Sequence, residues 1–335
     1  MRLDWSPLVD LIRRHQTILL VTHERPDADG MGSQLALADA LAALGKTARV
    51  VIPSNLPPRY AFLATADAPI ERFEPPGDRF RDVDAVIVLD TGTWNQLGDF
   101  GAFLRTLTVP KAVVDHHRTQ DDLGATRFVD VSAEATGRLA YELIRSLDVP
   151  ISPRAAHMLF MALALDTGWF RHPNTTSATF DLAGELVRLG ADPTPLYERL
   201  FEAAPVARLK LAGLALDRLQ VRAGGRVAFT EVYLRDYPAT GAVPGDTEDL
   251  INYPRSVEGV EVALLFIEQA DGTTKVSFRS KALDVSKLAE RFGGGGHKLA
   301  SGARAAGPLP EVRDVVLRAT QEALGMTNDP PMPHQ

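Results

Sequence analysis

Residues 17–45 read TILLVTHERPDADGMGSQLALADALAALG, in which an apolar run leads through a short polar loop into a long helical pattern. The apolar run is rich in Ile, Leu and Val, which is typical of a strand buried on both faces of a parallel sheet. The loop carries His23, Asp27 and Asp29 directly beyond that strand. This order of elements predicts the first strand and helix of an α/β domain, with polar side chains at the carboxyl end of the strand.

The same kind of apolar run recurs further along the chain, at TARVVI (47–52), DAVIVLD (84–90) and KAVVDHH (111–117). Helical patterns then extend from residue 133 to about residue 189. We therefore predict that the first part of the chain is a doubly wound α/β domain with a mainly parallel sheet.

Beyond about residue 206 the pattern changes to the strand-like runs RVAFTEVYL, VEVALLFIEQ and TTKVSFRSK. Asp271 and Gly272 stand between the last two runs, as a hairpin turn would. These features predict a second, smaller α/β domain, with a cleft between the two domains. The predicted boundaries are a first domain at 1–190, a linker or hinge at 191–206, a second domain at 207–325 and a flexible tail at 326–335.

Composition limits the chemistry. The 335 residues are 45% hydrophobic and 24% charged, as in ordinary globular proteins. Because there is no cysteine, any metal must be held by His, Asp, Glu or backbone oxygen. The formal net charge of −7 argues against capture of long nucleic acid on a basic face. No signal peptide or membrane-length apolar run is evident, so we expect a cytoplasmic protein without a membrane partner.

Acidic and imidazole side chains collect at the predicted strand ends, where open α/β sheets bind their ligands. Taken singly, each has an ordinary alternative, such as a helix cap for Asp29 or a polar turn at Asp90. A shared site is favoured because several strand ends carry these same two kinds of side chain. Its members are His23, Asp27, Asp29, Asp90, Asp115, His116 and His117, together with Asp166 at the end of the helical run HMLFMALALDTG.

If Asp27, Asp29, Asp90 and Asp166 converge, their charges repel one another strongly unless cations lie among them. Two divalent cations that share one bridging carboxylate would offset this charge and could generate a hydroxide nucleophile for phosphate ester hydrolysis. Oxygen ligands mixed with imidazole suit manganese better than magnesium. The sequence therefore predicts a site for two divalent cations, with Mn²⁺ as the expected ion.

A second candidate site lies in the run FGGGGHKLASG, residues 292–302. Glycine backbone N–H groups can approach an anion without obstruction by Cβ, and His297 adds a side-chain donor. A flexible tether is the alternative interpretation. The predicted substrate-binding residues of this run are Gly294, Gly295, Gly296 and His297.

The runs THERPDADGMGS, VLDTG, VDHH and ALALDTG resemble, in that order, the four motifs of the DHH phosphoesterase superfamily. FGGGGHKLASG resembles the glycine-rich signature of the nucleotide-binding domain that usually accompanies them. This resemblance makes Arg279, which taken alone would be a solvated strand arginine, a candidate for binding a terminal phosphate, with Ser301 and Arg255 as weaker candidates. The resemblance implies that one metal is held by His23, Asp27 and Asp90, and that the other is held by Asp29, Asp90, His116 and Asp166. It also implies that Asp90 bridges the metals, that His117 contacts the scissile phosphate and that Asp115 orients its neighbours.

The domain content resembles the two-domain nanoRNase and pAp phosphatase (oligoribonuclease) group of this superfamily. That resemblance implies a manganese-dependent hydrolase that cleaves short 5′-phosphorylated single-stranded oligonucleotides and 3′-phosphoadenosine 5′-phosphate (pAp) by two-metal hydroxide attack. It would act as a phosphodiesterase or exoribonuclease and a pAp 3′-phosphatase, would exclude duplex nucleic acid, and by analogy would form a homodimer. The alternatives are a phosphodiesterase for cyclic di-AMP or pApA and a non-catalytic nucleotide-sensing protein.

Overall fold

The apolar runs of the first part of the chain form one parallel sheet in the computed structural model, which describes residues 3–66 and 69–326. Its strands lie in the order β3-β2-β1-β4-β5-β6, and every neighbouring pair is parallel. The strands are β1 (Thr17–Val21), β2 (Thr47–Ile52), β3 (Ile70–Arg72), β4 (Ala85–Leu89), β5 (Lys111–Asp115) and β6 (Thr126–Val129).

Helices cover both faces of this sheet, which explains why its strands are apolar throughout. Leu20 and Ile87 face a large core, whereas Leu19 and Val88 face a second core on the opposite side. The helices are α1 (Ser6–Arg14), α2 (Ala28–Ala43), α3 (Gly98–Thr106), α4 (Thr136–Ser146), α5 (Pro153–Asp166), α6 (Ser177–Arg188) and α7 (Pro193–Phe201). Only α3 among them packs on the second core, so the predicted doubly wound architecture is confirmed in the described ranges.

The strand order reverses between β1 and β4. From β1 the chain proceeds outward to β2 and β3, and it then returns to place β4 on the other side of β1. Such a switch point opens a crevice at the carboxyl ends of the two central strands, where ligands bind in this class of fold. The loops that carry His23 and Asp90 leave the sheet at this point.

The chain divides into two compact units, Met1–Ala203 and Ala204–Gln335. The predicted linker at 191–206 differs from the structure, because most of it forms α7. Leu196 and Leu200 of this helix are buried in the core of the first unit. Asp192 and Pro193 begin this helix: the Asp192 carboxylate caps it by accepting from the Thr194 N–H at 3.0 Å, and Pro193 is its first residue.

The second unit contains a mixed sheet in the order β11-β12-β10-β9-β8-β7, in which only β8 and β9 pair in parallel. Gly272, at φ 77°, lies in the predicted hairpin turn between β9 and β10. The strands are β7 (Gln220–Arg222), β8 (Val227–Val232), β9 (Val262–Glu268), β10 (Thr273–Ser280), β11 (Gly295–His297) and β12 (Ala300–Ala306). The helices are α8 (Val206–Asp217), α9 (Asp236–Thr240), α10 (Asn252–Ser256), α11 (Val285–Glu290) and α12 (Leu309–Ala323).

The predicted second, smaller α/β domain is thus confirmed. Residues 327–335 of the predicted tail lie outside the described residues. Within the ranges that the structure describes, no helix combines the length and the apolar character needed to cross a membrane.

Candidate metal centre

Asp27, in the loop after β1, is hydrogen-bonded to the start of α2. Its Oδ1 accepts hydrogen bonds from the backbone N–H groups of Asp29 (3.0 Å) and Gly30 (3.1 Å), so Asp27 is the N-cap of this helix. Its Oδ2 lies 3.6 Å from His23 Nε2. The cap that the sequence allowed for Asp29 is therefore supplied by Asp27. Asp29 lies in the first helical turn and is only 2% exposed.

Asp90 lies at the centre of the cluster. It follows β4 with φ at 64°, a left-handed conformation that is costly for a residue other than glycine. Its Oδ2 is 3.4 Å from His23 Nε2, and its Oδ1 is 3.6 Å from His116 Nε2. The Thr136 hydroxyl donates to Oδ1 at 2.9 Å. The strained backbone thus places one buried carboxylate between two imidazoles.

His116 is oriented by a backbone carbonyl. Its Nδ1 lies 3.1 Å from the carbonyl oxygen of Ala133, which can only accept, so Nδ1 carries the proton. Nε2 consequently faces the carboxylates, 3.7 Å from Asp29 Oδ2 and 3.8 Å from Asp166 Oδ2. A histidine metal ligand is usually oriented in this way, by a hydrogen bond from its other ring nitrogen to a carbonyl or carboxylate oxygen.

Asp29 is held by the N-terminus of α4, a contact that sequence reasoning missed. Its Oδ2 accepts from Thr136 N at 2.7 Å, and its Oδ1 accepts from Gly137 N at 2.8 Å. The residue at the N-cap of this helix, Ala135, offers no side-chain cap. An uncapped helix start signals that its N–H groups need a partner elsewhere. The sequence gives no indication that the partner stands 107 residues away.

The side chains fit divalent cations. Potential ligand atoms lie within 4.8 Å of one another in three groups. Burial first, and then the charges of Asp90 and Asp166, raise the pKa of Asp29 well above its usual range. Burial chiefly raises the pKa of Asp166, to about 6. These shifts show negative charge that the protein does not neutralise, which a cation would offset. The groups are His23, Asp27 and Asp90; Asp29, His116 and Asp166; and Asp90, His116 and His117.

His23 holds a proton in this environment. Burial alone would lower its pKa, but hydrogen bonds to Asp27 and Asp90 outweigh burial and raise the pKa to about 10. Burial likewise favours a higher pKa for Asp27, yet its interaction with His23 lowers the pKa. Metal binding to this histidine would therefore have to release a proton.

His117 is hydrogen-bonded to Asp115. Asp115 Oδ1 lies 2.8 Å from the ring Nδ1 and accepts from the backbone N–H of His117 at 3.1 Å. This hydrogen bond raises the pKa of His117 to about 9. The ring also approaches the cluster, because Nδ1 is 3.7 Å from Asp90 Oδ1. The shorter contact engages Nδ1 with Asp115, which accords better with a phosphate contact through Nε2 than with metal ligation.

The candidate substrate residues of the second unit are brought together in part. Gly295 to His297 form the exposed edge strand β11, paired with β12. The Ser301 hydroxyl donates to the carbonyl oxygen of His297 at 2.8 Å, so it supports this strand. Burial and the neighbouring positive charge of Arg255 lower the pKa of Arg279. Two guanidinium groups close together would be stabilised by a bound anion.

Comparison with known proteins shows the family to which the chain belongs. Residues 17–163 match the DHH family, N-terminal domain, and residues 224–325 match the DHHA1 domain. The chain belongs to the DHH family of phosphoesterases and is a hydrolase.

Two relatives carry a more specific description. The bifunctional oligoribonuclease and PAP phosphatase NrnA of Thermus thermophilus is 30% identical, over 92% of this chain and 90% of that protein. A probable bifunctional oligoribonuclease and PAP phosphatase NrnA of Streptococcus mutans is 29% identical, over 87% of this chain and 90% of that protein. An exopolyphosphatase-related protein from Bacteroides fragilis superposes with a TM-score of 0.87 at 22% identity, covering 96% of this chain and 95% of that one, which shows the fold alone.

Proposed function

We propose that this protein is a manganese-dependent phosphoesterase that hydrolyses short 5′-phosphorylated oligonucleotides and pAp. The observation that carries the proposal is the position of Asp90, a buried carboxylate shared by two groups of potential ligands at the switch point of the sheet. The substrate class is supported by the relatives described as oligoribonuclease and PAP phosphatase, which this chain matches over about nine tenths of its length.

In this proposal His23, Asp27 and Asp90 would hold one cation, and Asp29, Asp90, His116 and Asp166 would hold the other. Bound cations would supply Lewis-acid activation of water and of a phosphoryl oxygen. The protein's own contribution is orientation. The N–H groups of Thr136 and Gly137 fix both oxygens of Asp29, and the Thr136 hydroxyl fixes Asp90.

We assign His117 to the scissile phosphate. With its pKa raised to about 9, the imidazole is protonated at neutral pH. It can therefore donate a charge-assisted hydrogen bond to a phosphate oxygen and can deliver a proton to the departing oxygen. Asp115 keeps the ring in place through the bond to Nδ1.

The second unit is proposed to bind the rest of the nucleotide. Gly295 and Gly296 would present backbone N–H groups to a terminal phosphate, beside the His297 side chain. The predicted role of Gly294 as a further donor does not fit the structure, because its N–H already donates to the carbonyl oxygen of Ala289 at 2.9 Å. Arg279 and Arg255 would add positive charge, whereas Ser301 would act through its hydrogen bond to the His297 carbonyl. Homodimer formation, exclusion of duplex and cytoplasmic location stay predictions.

The test is a product time course with Mn²⁺, with and without EDTA, on four substrates in parallel. These are pAp, a 5′-phosphorylated dinucleotide, a longer single-stranded RNA and cyclic di-AMP. Rapid release of phosphate from pAp and of mononucleotide from the dinucleotide, lost with the chelator, would support the proposal. Faster turnover of cyclic di-AMP would replace it by the cyclic dinucleotide alternative. No turnover of any substrate by protein that binds Mn²⁺ would refute it.

A further inference from the structure

Gln120 stands three residues beyond His117 and is not among the proposed metal ligands or phosphate contacts. Its side chain folds back onto the strand end, where Nε2 donates to Asp115 Oδ2 at 2.6 Å and to the backbone carbonyl of His117 at 3.1 Å. Its Oε1 is buried and has no hydrogen-bond partner in residues 3–66 and 69–326. The two hydrogen bonds that Nε2 donates therefore position the amide.

Asp115 links this amide to the histidine. The carboxylate is fully buried, and each oxygen has its own donors: Oδ1 accepts from His117, and Oδ2 accepts from Gln120. With both oxygens engaged, the carboxylate plane is held from two sides. If the Gln120 amide were lost, Oδ2 would be left without this donor in a buried environment, and the carboxylate would turn or take up water to replace it.

Gly92 provides the space for the Gln120 amide. A Cβ at position 92 would lie 1.8 Å from Gln120 Oε1 and 2.4 Å from its Cδ. Gly92 has no positive φ, so the backbone there is open to alanine. What excludes a methyl group is the end of one flexible side chain. An alanine at position 92 would thus displace the Gln120 amide without altering a proposed metal ligand.

We propose that Gln120 is a positioning residue for His117: acting through Asp115, it fixes the imidazole so that Nδ1 carries the hydrogen-bonded proton and Nε2 points to the opposite side of the ring. The absence of a side chain at Gly92 leaves the space that the Gln120 amide occupies. A carboxylate bound to one ring nitrogen keeps a proton on that nitrogen and sets the direction of the ring in this way. The inference deepens, and rests on, the proposed role of His117 at the scissile phosphate.

The kinetic test compares Gln120→Ala, Gly92→Ala and the double variant on pAp with Mn²⁺. Each single substitution is expected to lower kcat by about 10- to 100-fold, as loss of a supporting hydrogen bond does at such sites, with KM changed by less than about threefold. The double variant should lose no more than the worse single variant, because both changes remove the same contact. If the loss of kcat in the double variant equalled the product of the two single losses, the proposal would be overturned.

Gln120→Glu separates positioning from space filling. Glutamate has nearly the shape of glutamine, but its carboxylate cannot donate to Asp115 and adds a second negative charge beside it. We expect a loss of kcat at least as large as that of Gln120→Ala. Restoration of activity by glutamate would show that only volume matters, which would refute the proposal even if the alanine variant folds poorly.

A second readout follows His117 itself. Nitrogen NMR of the full chain with ¹⁵N-labelled histidine, metal-free and with Mg²⁺, reports the protonation and hydrogen bonding of both nitrogens of each ring, and His117→Gln identifies the resonance. The native protein should show protonated Nδ1 in a fixed ring, whereas Gln120→Ala and Gly92→Ala should broaden or shift this resonance. An unchanged His117 resonance in both variants would overturn the proposal, whether or not kcat falls.

Gln34→Ala is the matched control. Gln34 is also buried, and its Nε2 donates to the carbonyls of Leu20 and Val51, both at 2.9 Å. Its loss should lower Tm but leave the His117 resonance unchanged and kcat within about twofold. The same kcat and resonance changes in this control would reduce the role of Gln120 to general packing. If the native protein turned over no nucleotide, the proposed function would fail, and the resonance would still decide the positioning role.

Discussion

The two candidate sites of this chain are built in opposite ways. In the first unit the two central carboxylates, Asp29 and Asp90, are only 2% and 3% exposed, whereas the side chains of the other potential ligands are partly exposed, from 12% for His23 to 51% for Asp27. In the second unit the glycine-rich strand β11 is exposed along its length. The first site thus concentrates charge where water cannot screen it, whereas the second offers backbone donors at a surface.

This difference predicts how each site responds to change. Substitution at the buried carboxylates should act on metal affinity and on the chemical step, because the charge there has no substitute. Substitution at the exposed strand should act on substrate binding, because water can replace a lost donor. The predictions below test this division.

The largest effect is expected from Asp90→Asn. Asparagine tolerates the left-handed backbone at this position and keeps the shape, but it removes the charge shared by two ligand groups. We expect kcat/KM on pAp to fall by a factor on the order of 10³ or more. Steady-state kinetics with saturating Mn²⁺ measures the loss, and circular dichroism checks the fold.

Asp148→Asn is the matched control for that change. Asp148 is also a left-handed aspartate, with φ at 63°, but it is exposed at the end of α4. Its substitution should leave kcat/KM within about twofold. Turnover by Asp90→Asn comparable to that of this control would contradict the central position given to Asp90.

A smaller but graded effect is expected from pH. In the metal-free protein His23, with its pKa near 10, holds a proton at neutral pH, and Asp166, with its pKa near 6, takes one up below that value. Cations need the deprotonated groups, so Mn²⁺ affinity should rise with pH. We expect about tenfold per pH unit between 6.5 and 8.5, and a steeper dependence below pH 6.

Titration calorimetry of the metal-free protein at several pH values measures this slope. Asp166→Asn should remove the additional steepness below pH 6 and keep the dependence above it, since His23 is unaltered. An affinity that did not vary with pH would show that no proton is displaced when the cation binds.

The ligand residues of the first site could be predicted because each lies next to a recognisable strand or helix end. His23, Asp90 and His116 follow apolar runs whose parallel pairing brings their ends to one edge. The groups that hold these ligands could not be predicted in the same way. Thr136 and Gly137 meet Asp29 only after α4 packs against α2, so their role depends on tertiary structure.

The strands and helices of the fold likewise include some that could be predicted from the sequence and some that could not. The long apolar strands were predicted, whereas the short edge strands β3, β6, β7 and β11 were not, since an edge strand has too few buried residues to stand out. The interior strand β12 was not predicted either, because its sequence, ASGARAA, buries only small side chains. The omission of α12 has a different cause. Its buried Leu309, Val312, Val316 and Ala319 follow the spacing of an amphipathic helix, so the sequence does carry the signal for this helix.

The smallest effect separates two neighbouring glycines of the second site. Gly295 has open space where a Cβ would stand and no positive φ, so Gly295→Ala should leave Tm unchanged. If its N–H approaches the substrate phosphate, the methyl group should raise KM by about three- to tenfold at constant kcat. Gly296 has φ at 138°, and a Cβ there would lie 2.8 Å from the Ala300 carbonyl oxygen. Gly296→Ala should therefore lower Tm.

Gly245→Ala controls for the added methyl group, since Gly245 is exposed and also has open space where a Cβ would stand. Its KM and Tm should match those of the native protein. If Gly295→Ala behaved like this control while Gly296→Ala lost stability, the glycine run would serve the close approach of β11 to β12 rather than an anion. The exposed strand would then no longer be a substrate site, and Arg279 with Arg255 would be the remaining candidates for binding the terminal phosphate.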